Sequence, residues 1–87
     1  QEMSAYNFEH ANTDWLFTTF DEAEMSCQRL LDAKLPLPAY EQVLKASHTF
    51  NILDARGAIS VAQRAEYIGR IREITKQAAT IWVQSQT

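Results

Sequence analysis

The chain has 87 residues, of which 46% are hydrophobic, and its 8 basic and 11 acidic side chains give a formal net charge of −3. That length suffices for one domain with one modest core, and the negative charge argues against a dedicated nucleic-acid binder. The single cysteine excludes an internal disulfide framework, and no apolar run approaches the ~20 residues that a membrane-spanning helix needs.

The first ten residues carry Tyr6 and Phe8 but no helix start of their own. The chain also begins with Gln1 and not with an initiator methionine. These features predict an irregular lead-in over residues 1–12, which belongs to the preceding part of a longer parent chain. The helical bundle domain is predicted over residues 13–87.

A first helix is predicted from about Thr13 to Ala33. Asn12 or Thr13 can cap it, and Asp14 suits the positive end of the helix dipole. Apolar residues recur at three- and four-residue steps and form one stripe: Leu16, Phe20, Ala23, Cys27, Leu30 and Leu31. Pro36 and Pro38 are expected to close the segment, because the residue before a proline is disfavoured in helical geometry.

A second helix is predicted from Pro38 to about Ala55, with Pro38 at the first position, where a missing amide costs nothing. Gly57 follows the last turn and can adopt the left-handed stop conformation. The predicted apolar face consists of Tyr40, Val43, Leu44, Ala46, Phe50 and Leu53.

A third helix is predicted from Val61 to about Val83, opened by a capping box of Ser60 and Gln63. Its apolar residues span roughly 200°, against ~100° for a helix that covers one core: Val61, Ala65, Tyr67, Ile68, Ile71, Ile74, Ala78, Ile81 and Trp82. This width indicates that the helix contacts more than its two neighbours. Short connections predict an all-α fold, an antiparallel three-helix bundle, whose core includes Phe20, Leu30, Val43, Phe50, Ile68 and Ile71.

The sequence predicts no catalytic, cofactor-binding or metal-ligating residues. His10 and His48 lack partners at metal-ligand spacing, and Cys27 lies in an apolar stripe, which is typical of an inert thiol. Gly57 and Gly69 are isolated, so no phosphate-binding loop can be drawn.

The residues with the best pattern for recognition lie on the third helix. Arg64, Arg70 and Arg72, together with Trp82, form the candidate interface, which would contact a partner subunit or RNA phosphate. The alternative is a solvated helix with local salt bridges, either from Glu66 to Arg70 or across to the acidic first helix.

Asp54 projects on the apolar side of the second helix, where an unpaired carboxylate is costly. We expect a structural polar role for Asp54 and Arg56. Candidate partners of Asp54 are Arg56, Arg64 and the amides that open the third helix.

Three stretches resemble one family, the alpha subunit of the bacterial heterotetrameric glycyl-tRNA synthetase, in its C-terminal helical region. They are the run from Leu35 to Ser60, the segment Tyr6-Asn7-Phe8-Glu9-His10-Ala11-Asn12, and Tyr67-Ile68 with Arg70-Ile71-Arg72. The order and spacing match over nearly the whole chain. The sequence departs from the family mainly at its C-terminal end, Trp82 to Thr87.

The resemblance implies a glycine–tRNA ligase whose class II core uses ATP and Mg²⁺ and lies upstream of this segment. It implies that the segment has no cofactor of its own and packs beside the remainder of the alpha subunit. It also implies assembly with the beta subunit, indirect contact with tRNA and a cytoplasmic location away from any membrane. The alternative is a stand-alone helical protein–protein interaction module. An enzyme in its own right is disfavoured, because no nucleophile–base pair or ligand cluster is visible.

Overall fold

The computed structural model describes the backbone of residues 2–86 and the side chains of residues 13–86. It contains three helices, α1 (Glu2–Asp32), α2 (Pro36–Ala55) and α3 (Val61–Ser85), and the described backbone holds no strand. The predicted all-α three-helix bundle is confirmed.

The first helix begins earlier than the sequence suggested. The backbone of the lead-in is helical, since α1 starts at Glu2 rather than at Thr13, and Asn12 and Thr13 lie inside the helix instead of capping it. The physical reason is that no proline or glycine occurs before Pro36 to interrupt a helix. The side chains of Tyr6, Phe8 and His10 lie outside the described residues.

A left-handed residue ends α1. Lys34 has φ of 62°, its amide donates to the carbonyl of Leu31 at 3.0 Å, and the amide of Leu35 donates to the carbonyl of Leu30 at 2.9 Å. These two bonds form a Schellman motif, which satisfies carbonyls of the last turn. The chain therefore reverses within the segment 33–35.

The second helix starts at Pro36, two residues before the predicted Pro38. Both prolines fit, because the amides of a first helical turn have no partner within the helix. Leu37 is helical although a proline follows it, so the steric preference of a residue before proline did not decide this boundary.

The link between α2 and α3 matches the prediction. Gly57 has φ of 70°, and the amide of Ala58 donates to the carbonyl of Leu53 at 3.0 Å. The Ser60 hydroxyl accepts from the amide of Gln63 at 3.1 Å, while the Gln63 side chain accepts from the amide of Ser60 at 3.0 Å. The reciprocal capping box fixes the first turn of α3.

Helix directions follow from which ends meet. The start of α2, at Leu37 and Tyr40, lies against the end of α3 at Trp82, so α2 and α3 are antiparallel. The end of α1, at Leu31, lies against Ile81 near the end of α3. Hence α1 is antiparallel to α2 and parallel to α3. It packs more extensively on α2 than on α3.

The core contains Phe20, Val43 and Phe50, as predicted. Leu30, Ile68 and Ile71 are only half-buried at its edge, and Tyr40 and Leu44 are about half exposed rather than buried. The buried residues of α3 are Tyr67, Ile74 and Ala78, which belong to its predicted apolar stripe, and α2 also buries Ala39 and Thr49, which the predicted apolar face did not include.

Candidate interaction surface

No group of three or more His, Cys, Asp or Glu side chains that could hold a metal ion occurs among residues 13–86. His48 is exposed on α2. Cys27 is fully buried, and burial, reinforced by the charge of Glu24, raises the pKa of its thiol. A buried thiol of raised pKa is a poor nucleophile.

Arg70 connects α3 to the acidic face of α1. Its Nε and Nη2 donate to the two carboxylate oxygens of Glu24 at 3.0 and 2.6 Å, and Nη2 also donates to Asp21 Oδ1 at 2.9 Å. This planar, two-point contact is specific to the guanidinium group. The hydrogen bond to Glu24 is the main reason that the pKa of Arg70 is raised despite partial burial.

Two aromatic rings flank the Arg70 guanidinium. Its central carbon lies 4.8 Å from the ring centroid of Phe20 and 4.8 Å from that of Tyr67, within range of a cation–π interaction. The rings themselves meet edge to face, with centroids 4.7 Å apart. Burial raises the pKa of the Tyr67 phenol. The Arg70 side chain thus makes its contacts within the bundle. This favours the ion pair across to α1 over a contact of Arg70 with a partner subunit or RNA.

Arg64 lies against Asp54 at the link between α2 and α3. Arg64 Nε and Nη2 both donate to Asp54 Oδ1, at 3.1 and 2.8 Å. The two side chains remain 46% and 35% exposed, so Asp54 is more solvated than its position on the helical wheel suggested. Arg56 is exposed at the end of α2, where its amide donates to the carbonyl of Ile52.

Arg72 is exposed on α3 and makes no ion pair with any side chain among residues 13–86. Of the three candidate arginines, it is therefore the one whose charge the described bundle leaves unmatched. Arg72 lies one helical turn before Thr75, on the same side of the helix.

Trp82 lines an apolar groove between the start of α2 and the end of α3. The groove has a volume of about 300 Å³, and its walls are Pro36, Leu37, Tyr40, Thr75, Ala78, Ala79 and Trp82. Leu37 is 61% exposed, Tyr40 49% and Trp82 43%. The sequence pattern identifies Trp82, but it places Tyr40 on the apolar face of the second helix and does not single out Leu37. Leu37 was missed because the predicted second helix begins at Pro38, whereas α2 begins at Pro36 and therefore includes Leu37.

A second depression of about 320 Å³ lies where α1 ends beside α3, lined by Leu31, Asp32, Lys34, Lys76, Gln77, Thr80 and Ile81. Its charged side chains are of both signs. The last carbonyls of α1 also face this end of the molecule, and the negative end of a helix disfavours anions.

Among the described residues, none of the three helices has the length and the apolar composition that a membrane-spanning helix requires.

These features describe a bundle of three helices with an exposed apolar groove between α2 and α3. The family model for the glycyl-tRNA synthetase alpha subunit matches residues 1–87. The chain therefore belongs to the glycyl-tRNA synthetase alpha subunit family, whose parent activity is glycine–tRNA ligation. The resemblance drawn from the three sequence stretches is confirmed at the level of the family.

Proposed function

We propose that this chain is the C-terminal helical domain of a glycine–tRNA ligase alpha subunit. It supports the ATP-dependent charging of tRNA with glycine through subunit assembly and positioning, and it performs no chemistry itself. The observation that carries the proposal is the family match over residues 1–87. An exposed apolar groove, and the absence of a clustered set of reactive groups among residues 13–86, support a role in contact rather than catalysis.

In this proposal the remainder of the alpha subunit supplies a class II catalytic core, which binds ATP and Mg²⁺. Residues 1–12 connect the bundle domain, residues 13–87, to that core. The beta subunit is the second partner in a cytoplasmic heterotetramer, and tRNA contacts the domain only indirectly. Arg64, Arg70 and Arg72 do not act on substrate, and no residue of the chain binds a cofactor.

The first experiment tests the absence of chemistry. The purified 87-residue chain is assayed for ATP–pyrophosphate exchange and for glycylation of tRNA, beside the complete alpha subunit mixed with beta. We expect activity only in the complete mixture. Exchange by the isolated chain, in a preparation free of full-length enzyme, would overturn the non-catalytic assignment.

The second experiment tests assembly against the alternative, a stand-alone interaction module. Isothermal titration calorimetry of the chain with the beta subunit, and separately with the remainder of the alpha subunit, should detect binding to at least one of them. Bovine serum albumin serves as the unrelated control. A stand-alone module predicts no heat with either subunit.

A further inference from the structure

We propose that α3 is the part of the bundle that opens first. It detaches from α1 and α2 while these two helices remain paired, and the contact of Arg70 with Glu24 and Asp21 limits how often this happens. The pair of α1 and α2 is called the α1–α2 hairpin below. This opening is a property of the bundle itself and does not depend on the proposed role in assembly.

Burial is distributed unevenly over the helices. In α3, three of 25 residues are buried, namely Tyr67, Ile74 and Ala78, whereas α2 buries six of its 20 residues. The packing of α3 on both of its neighbours together is also less extensive than the packing of α1 on α2. Apolar burial is the main favourable term in folding, so separating α3 from the hairpin costs less than separating α1 from α2.

Ion pairs join α3 to the hairpin where its apolar contact is small. Arg70 contacts Glu24 and Asp21 of α1 at 2.6 and 2.9 Å, and Arg64 contacts Asp54 of α2 at 2.8 Å. The Arg70 side chain is 28% exposed and that of Arg64 is 46% exposed. A less exposed ion pair is screened less by water and salt. Arg70 is therefore the stronger of the two contacts that hold α3 closed.

The link between α2 and α3 lets α3 separate without disturbing the hairpin. Ile59 is 6% exposed and holds the link against the core, whereas Val61 is 80% exposed. The capping-box bonds join Ser60 and Gln63 to each other, so they do not hold the first turn of α3 against α1 or α2. The separation therefore begins between Ile59 and Val61.

Opening changes two surfaces of the molecule. It uncovers Phe20 and Phe50, whose ring centroids lie 4.7 and 6.2 Å from that of Tyr67 on α3. It also removes the apolar groove, because the walls of the groove come from both α2 and α3, as with Leu37 and Trp82. The groove exists only while α3 is docked, so any partner that contacts both walls shifts the equilibrium toward the closed bundle.

Amide hydrogen exchange of the 87-residue chain, followed by NMR, measures this opening. Most of the stability of a helix in a protein comes from tertiary packing, so the backbone hydrogen bonds of α3 break once it detaches, and its amides exchange. Under conditions where reclosing is faster than exchange, we expect the slowest amides of α3 to exchange about tenfold or more faster than the slowest amides of α1 and α2.

Leu30→Ala separates the opening of α3 from unfolding of the whole bundle. Leu30 is half-buried and lies about 120° around α1 from Glu24 and about 180° from Asp21, the residues that meet α3, so α2 covers it. Its contacts are lost only when the hairpin unfolds. The variant should speed exchange of the slowest α1 and α2 amides by about fivefold or more and leave those of α3 within about twofold of wild type.

Arg70→Gln tests the contact that limits opening. It should speed exchange of the slowest α3 amides by about tenfold or more, and the slowest amides of the hairpin by a similar factor, because complete unfolding breaks the same contact. The matched control is Arg72→Gln, which changes an exposed arginine on the same helix that has no ion pair among residues 13–86. It should stay within about twofold of wild type.

The outcomes decide between a bundle that opens in parts and one that unfolds as a unit. Equal exchange rates for the slowest amides of all three helices would overturn the proposal. So would a Leu30→Ala variant in which α3 speeds up as much as α1 and α2, because the hairpin would then not outlast α3. An Arg70→Gln variant that exchanges like Arg72→Gln would overturn the role given to Arg70.

Discussion

At the scale of single residues, the two arginine contacts differ in how much they stabilise the bundle. The pair of Asp54 and Arg64 is a forked contact, but water reaches both side chains. The desolvation that would make an unpaired Asp54 costly is therefore small, and the pair belongs among exposed ion pairs. The position of Asp54 on the apolar side of α2 predicts a larger contribution, which the exposure of both side chains reduces.

A double-mutant cycle measures this pair. Asp54→Ala and Arg64→Ala, alone and together, should give a coupling free energy of about 0.2–1 kcal/mol in urea unfolding. The coupling should fall in 1 M NaCl, because exposed charges are screened. Strictly additive losses at low salt would show that the contact contributes nothing.

Arg70 should matter more, since its side chain is 28% exposed and that of Glu24 is 25% exposed. Removing the guanidinium leaves Asp21 and Glu24 of α1 without their counter-charge, and Glu24 is only 25% exposed, which is the costly way to break an ion pair. We expect Arg70→Ala to lower the free energy of unfolding by about 2–4 kcal/mol, which is somewhat less than the ~3–5 kcal/mol of a fully buried pair because water reaches both partners.

The control variant is Arg70→Lys, which keeps the charge but cannot bond both oxygens of Glu24 in one planar contact. It should recover less than half of the loss. Full recovery by lysine would mean that charge alone matters and that the two-point geometry does not.

At the scale of the helices, specific backbone conformations and capping hydrogen bonds define where the helices begin and end. Gly57 takes the left-handed position after α2, and Ser60 with Gln63 opens α3. The end of α1 uses the same motif with lysine in place of glycine, because Lys34 has φ of 62°. A residue with a Cβ is strained there, by roughly 1–2 kcal/mol.

Relieving that strain should stabilise the protein. Lys34→Gly removes the Cβ clash, and the extra freedom of glycine in the unfolded chain offsets about 0.4–1 kcal/mol of the gain. We expect a net increase of about 0.5–1 kcal/mol in the free energy of unfolding, measured by guanidinium denaturation.

Ala33→Gly is the matched control, since Ala33 precedes Lys34 and does not have a positive φ. There glycine brings only its entropic cost, and stability should fall by about 0.4–1 kcal/mol. A loss of stability in Lys34→Gly equal to that in Ala33→Gly would contradict the strain argument.

At the scale of the whole molecule, stability depends on one core that all three helices share. Phe50 of α2 is 7% exposed and packs near Tyr67 of α3, with ring centroids 6.2 Å apart. Tyr67 in turn meets Phe20 of α1. These aromatic contacts connect the three helices through their centre.

Phe50→Ala removes the member of this set that α2 contributes and should cost about 3–5 kcal/mol, because the rigid helices cannot close the cavity. Leu44→Ala is the control on the same helix, since Leu44 is 51% exposed, and should cost less than ~1 kcal/mol. Urea unfolding followed by circular dichroism measures both. A loss below ~1 kcal/mol for Phe50→Ala would mean that Phe50 is not enclosed.

The sequence by itself determined the number of helices, most of their ends and, through three stretches that resemble one family, the family. Local interactions set the helices and their ends: a glycine that accepts a left-handed turn, a serine and a glutamine that cap each other, and apolar residues at helical spacing. The sequence also identified Trp82, and it named Arg64 among three candidate partners of Asp54. The start of α2 was missed because the sequence offers two prolines and either one fits the first turn.

Only the tertiary structure decided which side of each helix is covered. Tyr40 and Leu44 are apolar but face outward, whereas Thr49 and Ala39 face the core. The reason is that the spacing of apolar residues along one helix does not specify the directions from which α1 and α3 pack against α2. For the same reason the sequence could not tell which arginine is occupied. Arg70 meets Glu24, 46 residues away, while Arg72 is two residues further along α3 and remains exposed. A helix turns by about 200° over two residues, and the position of α1 determines which of the two side chains finds a partner.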